Sequence, residues 1–423
     1  MTESAESLDD KVRAICIEAR AAARKLGPKS RDAKDAALAA IARALESGKR
    51  QVLAANEADL ETARGKGTKG AMLDRLMLDE RRIEGLVESV RSIAALPDPV
   101  GEVVSRILRP NGLRVTRMRV ALGVIAMVYE ARPGVTVEAS ALTLKAGNAV
   151  VLRGGSEAAR SNAALAAIVG QGLEAVGLPR AAVQSLPFTD RDAVRALVQQ
   201  SEYVDLAIPR GGEALIRFVT ENARVPVVQH YKGVCHLYLD AGTDPAEAAR
   251  IAVNAKMQRP GVCNALECLL VDANDAERLL PPVGAALIAA GCELRGDERT
   301  RALVPEAVPV APEDYGREFL DTILAVRVVD GLDQAIEHVT NYGSGHTEAI
   351  LTPVAEHAER WRREVDAACV VVNASTRFHD GGELGLGAEI GIATSRLHWR
   401  GPMGLESLTT MKWIIDGEGQ IRR

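Results

Sequence analysis

From Gly123 onward the chain repeats one pattern: a short apolar run, a turn of small or charged residues, then a longer stretch at helical spacing. GVIAMVYE, NAVVLRG and YVDLAIP are the apolar runs as far as residue 235. VTVEASALTLKAG, EAARSNAALAAIVGQGLEAVG, DRDAVRALVQQ and GEALIRFVTEN are the helical stretches. Strands that read as continuous apolar runs are buried on both faces, and helices supply the cover. The pattern therefore predicts a doubly wound α/β sheet. A second series occupies 236 to 397. It begins HLYLD, PAEAARIAVNAKM, CNALECLLVD, ERLLPPVGAALIAAG and continues through LAVRVVD, LDQAIEHVTNYG, EAILT and ACVVVNA.

The flanking regions carry less chemistry. Residues 10–97 read as packed scaffold helices, the first stopping at Gly27-Pro28 and the second capped by Ser30. RILRPNGLRVTRMRVALG alternates polar and apolar residues around Asn111-Gly112, a hairpin signal. Its outward arginines suit an exposed ribbon that pairs with another chain. The strand-like TTMKWIID near the C-terminus is a partner for that ribbon.

Composition excludes several classes. With 423 residues the chain can build two or three compact units. Its net charge of −5 without a long basic run argues against nucleic-acid binding. No apolar run is long enough to span a bilayer, and MTESAESLDDKVRA lacks the apolar core of a secretory signal. The six cysteines are scattered without a CxxC, so neither a zinc knuckle nor a disulfide scaffold is expected, and free thiols fit a reducing cytoplasm.

Four stretches carry candidate chemistry. In NAVVLRGGSEAARSN a strand ends at Arg153 and passes through Gly154, Gly155 and Ser156 into a helix. Such a turn offers close backbone approach and unpaired N–H groups to phosphate, although any βα turn looks similar. LAIPRGGEALIRF repeats the design at Arg210-Gly211-Gly212, without a GxGxxG. QRPGVCNALECLLV holds Cys263 and Cys268. Cys263, after Arg259, Pro260 and Gly261, stands at a turn or helix start, where a dipole and a guanidinium would favour a thiolate. Its own N–H, with Asn254 upstream, is a donor for an oxyanion. On the residues alone, a packed structural thiol fits as well. VDGLDQAIEHVTNYGSGHTEAILT is dense in polar residues, but His338 and His346 are too far apart for a helical metal pair, and no carboxylate or cysteine stands at ligand spacing, so no metal is expected.

YEARPGVTVEASALTLKAGNAVVLRGGSEA, DLAIPRGGEALI, NAKMQRPGVCNALE, EFLDTILAVRVVDGLDQAIEHVTNYGSGHTEAI and RFHDGGELGLGAEIGIATSRLHWRGPMGLESLTT together resemble the gamma-glutamyl phosphate reductases of the aldehyde dehydrogenase superfamily. The likeness covers essentially the whole chain, and Val339 is a mild departure where isoleucine is usual. The resemblance implies a Rossmann-like cofactor domain (1–106 and 122–234), an α/β catalytic domain (235–397) and a protruding β-ribbon for oligomerisation (107–121 and 404–423). It implies an oxidoreductase of proline biosynthesis that reduces L-glutamyl 5-phosphate with NADPH to glutamate 5-semialdehyde. It makes Cys263 the nucleophile and Cys268 core. Arg153, Gly154 and Ser156 match the adenine-ribose turn, Gly211 the pyrophosphate turn, and Glu318 the nicotinamide-ribose ligand. Arg132 and Arg259 are candidates for the substrate phosphate, and Asn373, Ser375, Thr376 and Arg377 for the α-carboxylate.

Two departures bear on mechanism. Hydrolytic aldehyde dehydrogenases carry a glutamate base where this chain reads VVQHYKGVCHLYLD, with no acidic residue between Val227 and Leu239 and His230 nearest the position. That suits a reductase, because water would destroy the acyl-enzyme. The superfamily's asparagine oxyanion donor is replaced by Tyr129-Glu130-Ala131-Arg132. Hydrolytic or CoA-acylating dehydrogenases and a non-catalytic scaffold are the rival readings. No kinase-like stretch occurs here, so the acyl phosphate is expected from a separate glutamate 5-kinase partner, with the chain itself a homo-oligomer.

Overall fold

A computed structural model describes residues 7–229 and 231–422. The chain divides into two compact units. Within the first, described over 7–229, 386–391 and 403–422, four helices come first: α1 Leu8–Leu26, α2 Arg31–Gly65, α3 Ala71–Leu76 and α4 Glu80–Ala95. Ser7, Ser30 and Asp79 cap α1, α2 and α4 by accepting the backbone N–H three residues on, which satisfies a donor that the helix leaves open.

A hairpin follows, β1 Val103–Leu108 and β2 Arg114–Ala121. The ribbon therefore begins before residue 107. The C-terminal strand Thr409–Asp416 lies antiparallel on β2, from Thr409 opposite Ala121 to Asp416 opposite Arg114. Ile107, Leu108, Trp413 and Ile415 are exposed on it.

The rest of this unit is the predicted alternation: β3 Val124–Tyr129, α5 Val135–Lys145, β4 Ala149–Gly154, α6 Ala159–Glu174, β5 Val183–Ser185, α7 Arg191–Val198, β6 Leu206–Arg210 and α8 Glu213–Asn222. The strands form a parallel sheet in the order β5-β4-β3-β6. Every residue of β3 is buried, as a strand covered by helices on both faces requires.

The second unit, described over 231–385 and 392–402, holds β7 Cys235–Leu239, α9 Pro245–Met257, β8 Leu266–Asp272, α10 Ala276–Ala289, β9 Glu293–Gly296, α11 Glu298–Leu303, β10 Val308–Pro309, β11 Ile323–Val329, α12 Gly331–Tyr342, β12 Thr347–Leu351, α13 Ala355–Glu364 and β13 Cys369–Val372. Its sheet is parallel throughout, in the order β10-β9-β11-β8-β7-β12-β13. Buried side chains form one cluster on each face, with Leu237, Leu269 and Ala349 on one side and Tyr238, Leu270 and Ile350 on the other. No helix among the described residues is long and apolar enough to cross a membrane.

Candidate active site

Cys263 lies in the turn between the end of α9 and the start of β8, and is partly exposed. The sequence led us to expect a turn or a helix start here, and it is a turn: α9 has ended, and the apolar run that begins at Leu266 is a strand. A helix C-terminus does not favour a thiolate, so positive charge has to come from side chains. Arg377 is the group in position to supply it. Burial lowers its pKa, Asp380 opposes that, and Arg259 and the Cys263 thiol are among the charges it senses. Arg377 Nε donates to Gln258 Oε1 at 2.7 Å, and the Arg377 N–H donates to Ser375 Oγ at 3.3 Å.

The backbone of Cys263 is held from below. Gly233, in the lead-in to β7, passes so near that a Cβ there would stand 2.0 Å from the Cys263 carbonyl oxygen. The Gly233 N–H donates to Glu318 Oε1 at 3.0 Å. Cys235 Sγ donates to the Cys263 carbonyl at 3.2 Å and lies 3.7 Å from His346 Nδ1. Burial, reinforced by Glu348, raises the Cys235 pKa well above the thiol range, so this neighbour remains a protonated donor. Thr347 Oγ1 is 2.7 Å from His346 Nδ1 and 2.8 Å from His379 Nδ1. A hydroxyl has one proton to give, so at least one of these imidazoles carries its proton on Nδ1. Asn264 Nδ2 donates to the His379 carbonyl at 2.9 Å, and Thr376 Oγ1 donates to the Asn264 carbonyl at 2.8 Å. These bonds tie the segment from Ser375 to His379 to the turn that carries Cys263.

Cys235, Asn264, Thr347 and His379 were not singled out from the sequence. Their polar surroundings in GVCH, GSGHTEA and TRFHDGG were visible, but their meeting was not. Asn254 is exposed on α9, nine positions before Cys263 in the chain. Asn373 has φ +55 and uses both ends of its amide on the Thr352 backbone, at 2.8 and 3.0 Å. Cys268 is fully buried in β8, as read. His230 lies outside the described residues.

His338 corrects the expectation that it has no metal-ligand neighbours. It meets His236 and Cys268, with ligand atoms within 4.8 Å of one another. Its Nε2 is 3.5 Å from Cys268 Sγ, and its Nδ1 is 2.8 Å from Arg327 Nη1. A guanidinium can only donate, so His338 Nδ1 accepts and Nε2 keeps the proton, pointed at sulfur. A proton on Nε2 blocks metal ligation there; His338 is hydrogen-bonded to Cys268, while His236 Nδ1 faces Glu348 Oε2 at 2.8 Å and its Nε2 has no partner among the described residues.

The first unit has its own constellation, at the C-terminal ends of its strands. Ser156 is exposed in the turn after β4, and Gly154 leaves no room for a Cβ, which would meet Asn162 Nδ2 at 2.1 Å. A cavity of about 630 Å³ opens here, lined by Gly154, Asn162, Ala163, Pro187, Phe188 and Thr189. The Arg153 guanidinium donates to the carbonyls of Thr189 and Asp190, while its Nε has no partner among the described residues. After β6, the Gly212 N–H donates to Glu130 Oε2 at 3.0 Å, and a Cβ on Gly211 would stand 2.5 Å from the same oxygen. Arg132 is exposed just beyond β3. The cavity lies beside the Gly154 turn, and Arg153, which precedes that turn, keeps a buried Nε without a partner among the described residues.

Residues 1–300 match the aldehyde dehydrogenase family model. Gamma-glutamyl phosphate reductase from Sorangium cellulosum is 60% identical, with 100% of both chains covered. The protein of that name from Geobacter metallireducens is 52% identical, over 99% of this chain and 100% of its own. The crystal structure of the Thermotoga maritima gamma-glutamyl phosphate reductase superposes with a TM-score of 0.96 at 43% identity, covering 98% of this chain and 100% of that one. The chain belongs to the gamma-glutamyl phosphate reductases of the aldehyde dehydrogenase family.

Proposed function

We propose that the chain reduces L-glutamyl 5-phosphate to L-glutamate 5-semialdehyde and phosphate through a thioester on Cys263, with NADPH as the reductant. The observation that carries this reading is a partly exposed cysteine electrostatically coupled to the Arg377 guanidinium, in a unit whose lead-in to β7 holds no carboxylate to activate water.

Cys263 attacks the acyl carbon as a thiolate, with Arg377 and Arg259 offsetting the charge. The Cys263 N–H and Asn254 are the proposed donors to the tetrahedral oxyanion. Phosphate departs as a stable anion, steadied by Arg259 and Arg132. NADPH, when bound, supplies the hydride that converts the thioester to a thiohemiacetal. Collapse of that species frees the semialdehyde and restores the thiolate. Ser375, Thr376 and Arg377 hold the substrate's α-carboxylate, and Asn373 fixes the backbone that launches them. Arg153, Gly154 and Ser156 take the adenine-ribose end of the cofactor, Gly211 its pyrophosphate, and Glu318 its nicotinamide ribose. The exposed apolar ribbon suits a homo-oligomer working in the cytoplasm, with a glutamate 5-kinase supplying the acyl phosphate.

The test is the reverse reaction, NADP⁺ reduction with glutamate 5-semialdehyde, with and without phosphate. Activity should require phosphate and vanish in Cys263→Ala. Phosphate-independent turnover would assign the chain to the hydrolytic class instead.

A further inference from the structure

Lys256 and Glu267 form an ion pair sealed inside the second unit, with Nζ 2.7 Å from Oε2 and both side chains wholly buried. Local geometry puts them there. Cys235 pairs with Leu266 while His236 pairs with Cys268, so Glu267 is the extra residue of a bulge at the start of β8. A bulge re-aims one side chain beside a site, and here it turns the carboxylate to the last turn of α9. Burial raises the Glu267 pKa to about 7, with Lys256 pulling it back.

A buried pair is seldom retained for stability, since well-packed apolar residues serve as well. The second oxygen of Glu267 shows what this pair touches. Oε1 accepts the Leu320 N–H at 3.3 Å. Leu320 sits at φ +54, a conformation that a branched side chain rarely holds without support. The Phe319 ring beside it lies 5.9 Å from Lys256 Nζ and 5.4 Å from the guanidinium groups of Arg295 and Arg317. Glu318 immediately precedes these residues, and its Oε1 accepts the Gly233 N–H against which Cys263 rests.

We propose that Lys256 and Glu267 are positioning residues that clamp the Phe319–Leu320 turn, so that Glu318 presents its carboxylate to the cofactor at a fixed distance from Cys263. This rests on the reading of Glu318 as the nicotinamide-ribose ligand. Neither residue of the pair touches substrate or cofactor, so their effect passes through Glu318.

Three full-length variants test it: Glu318→Gln, Glu267→Gln, and Lys256→Met combined with Glu267→Met. The double variant removes both charges together and keeps the volume filled. It should keep the wild-type melting temperature within a few degrees, raise KM for NADPH roughly tenfold or more, and lower kcat in step. Its KM for the semialdehyde in the reverse assay should stay near wild type. Glu267→Gln, which retains an oxygen for the Leu320 N–H, should recover most of the cofactor affinity. Wild-type kinetics in the double variant would overturn the proposal, as would an activity loss that only tracks unfolding. Unchanged cofactor KM in Glu318→Gln would remove the reading underneath and the proposal with it. That failure is separate from one in which Glu318→Gln responds and the double variant does not.

Discussion

In the function proposed above, the two parallel sheets carry their candidate sites at opposite strand ends. In the four-stranded sheet the candidate cofactor turns follow the strands: Glu130 after β3, Gly154 to Ser156 after β4, and Gly211 after β6. In the seven-stranded sheet the proposed nucleophile and the polar groups around it come first: Cys235 opens β7, Cys263 precedes β8, and Thr347 opens β12. A strand's C-terminal end leads into a helix start, which offers N–H groups to an anion at no side-chain cost. A strand's N-terminal end follows a helix C-terminus, whose partial charge has the wrong sign for a thiolate. With Cys263 as the proposed nucleophile, this edge therefore relies on the Arg377 guanidinium and on a side-chain network that fixes the backbone of Cys263.

If that contrast is right, the nucleophile edge should tolerate the smaller disturbance. Gly233→Ala would press a methyl group into the Cys263 carbonyl, a backbone atom that cannot step aside without moving the nucleophile. We expect kcat to fall by about two orders of magnitude and stability by about 1–3 kcal/mol. Steady-state kinetics with a thermal melt checks it, and a variant within twofold of wild type would break the comparison.

Gly154→Ala makes a clash of similar closeness, but with the amide tip of Asn162. A side-chain end can rotate away. The expected result is a rise of roughly tenfold in cofactor KM with kcat largely kept, because the disturbance reaches binding and not the reacting atoms. Equal losses of kcat in the two variants would mean that the sheet ends are not built on different principles.

The buried His338 adds a pH signature. Burial, with His236 and Arg327 nearby, lowers the His338 pKa to about 3. The unfolded chain would protonate this imidazole near its ordinary value, while the folded chain keeps it neutral. Below that value the unfolded state binds the extra proton, so stability falls as pH drops through the window from about 6.5 to 3, at no more than about 1.4 kcal/mol per pH unit. Denaturant melts across this range should show the slope in wild type and a shallower one in His338→Asn. Parallel slopes would place the acid sensitivity elsewhere.

The same contrast explains what the sequence made legible. β3, β4, β6, β7, β8 and β11 announce themselves as apolar runs between turn signals. β5 and β10 are three and two residues long, and β9 reads ELRG, with charges where an apolar run was sought. α13, AEHAERWRRE, buries only Ala358 and Trp361, too thin a stripe to stand out. The glycine turns of the first sheet are local, so Gly154 and Gly211 could be found by reading along the chain. The network under Cys263 joins Cys235 to a residue 28 positions away and Thr347 to one 32 away. Strand order and register bring them together, and neither is written in any one segment. Cys263 could be read only as a turn or a helix start for a related reason: Pro and Gly mark a break, but not which element follows it.

Cys235 offers the smallest and most discriminating test of the network. Its thiol donates to the Cys263 carbonyl at 3.2 Å, and its raised pKa keeps the proton in place through the neutral range. A thiol is a weak donor, so Cys235→Ala should lower kcat/KM only about threefold, in keeping with roughly 0.5–1 kcal/mol for one such bond. Cys235→Ser restores a donor of smaller radius and should recover activity relative to the alanine variant. A cysteine that merely fills space predicts the reverse order, because the buried hydroxyl then costs more than a methyl group. The rank of the two variants therefore separates a hydrogen bond that holds the nucleophile's backbone from simple packing.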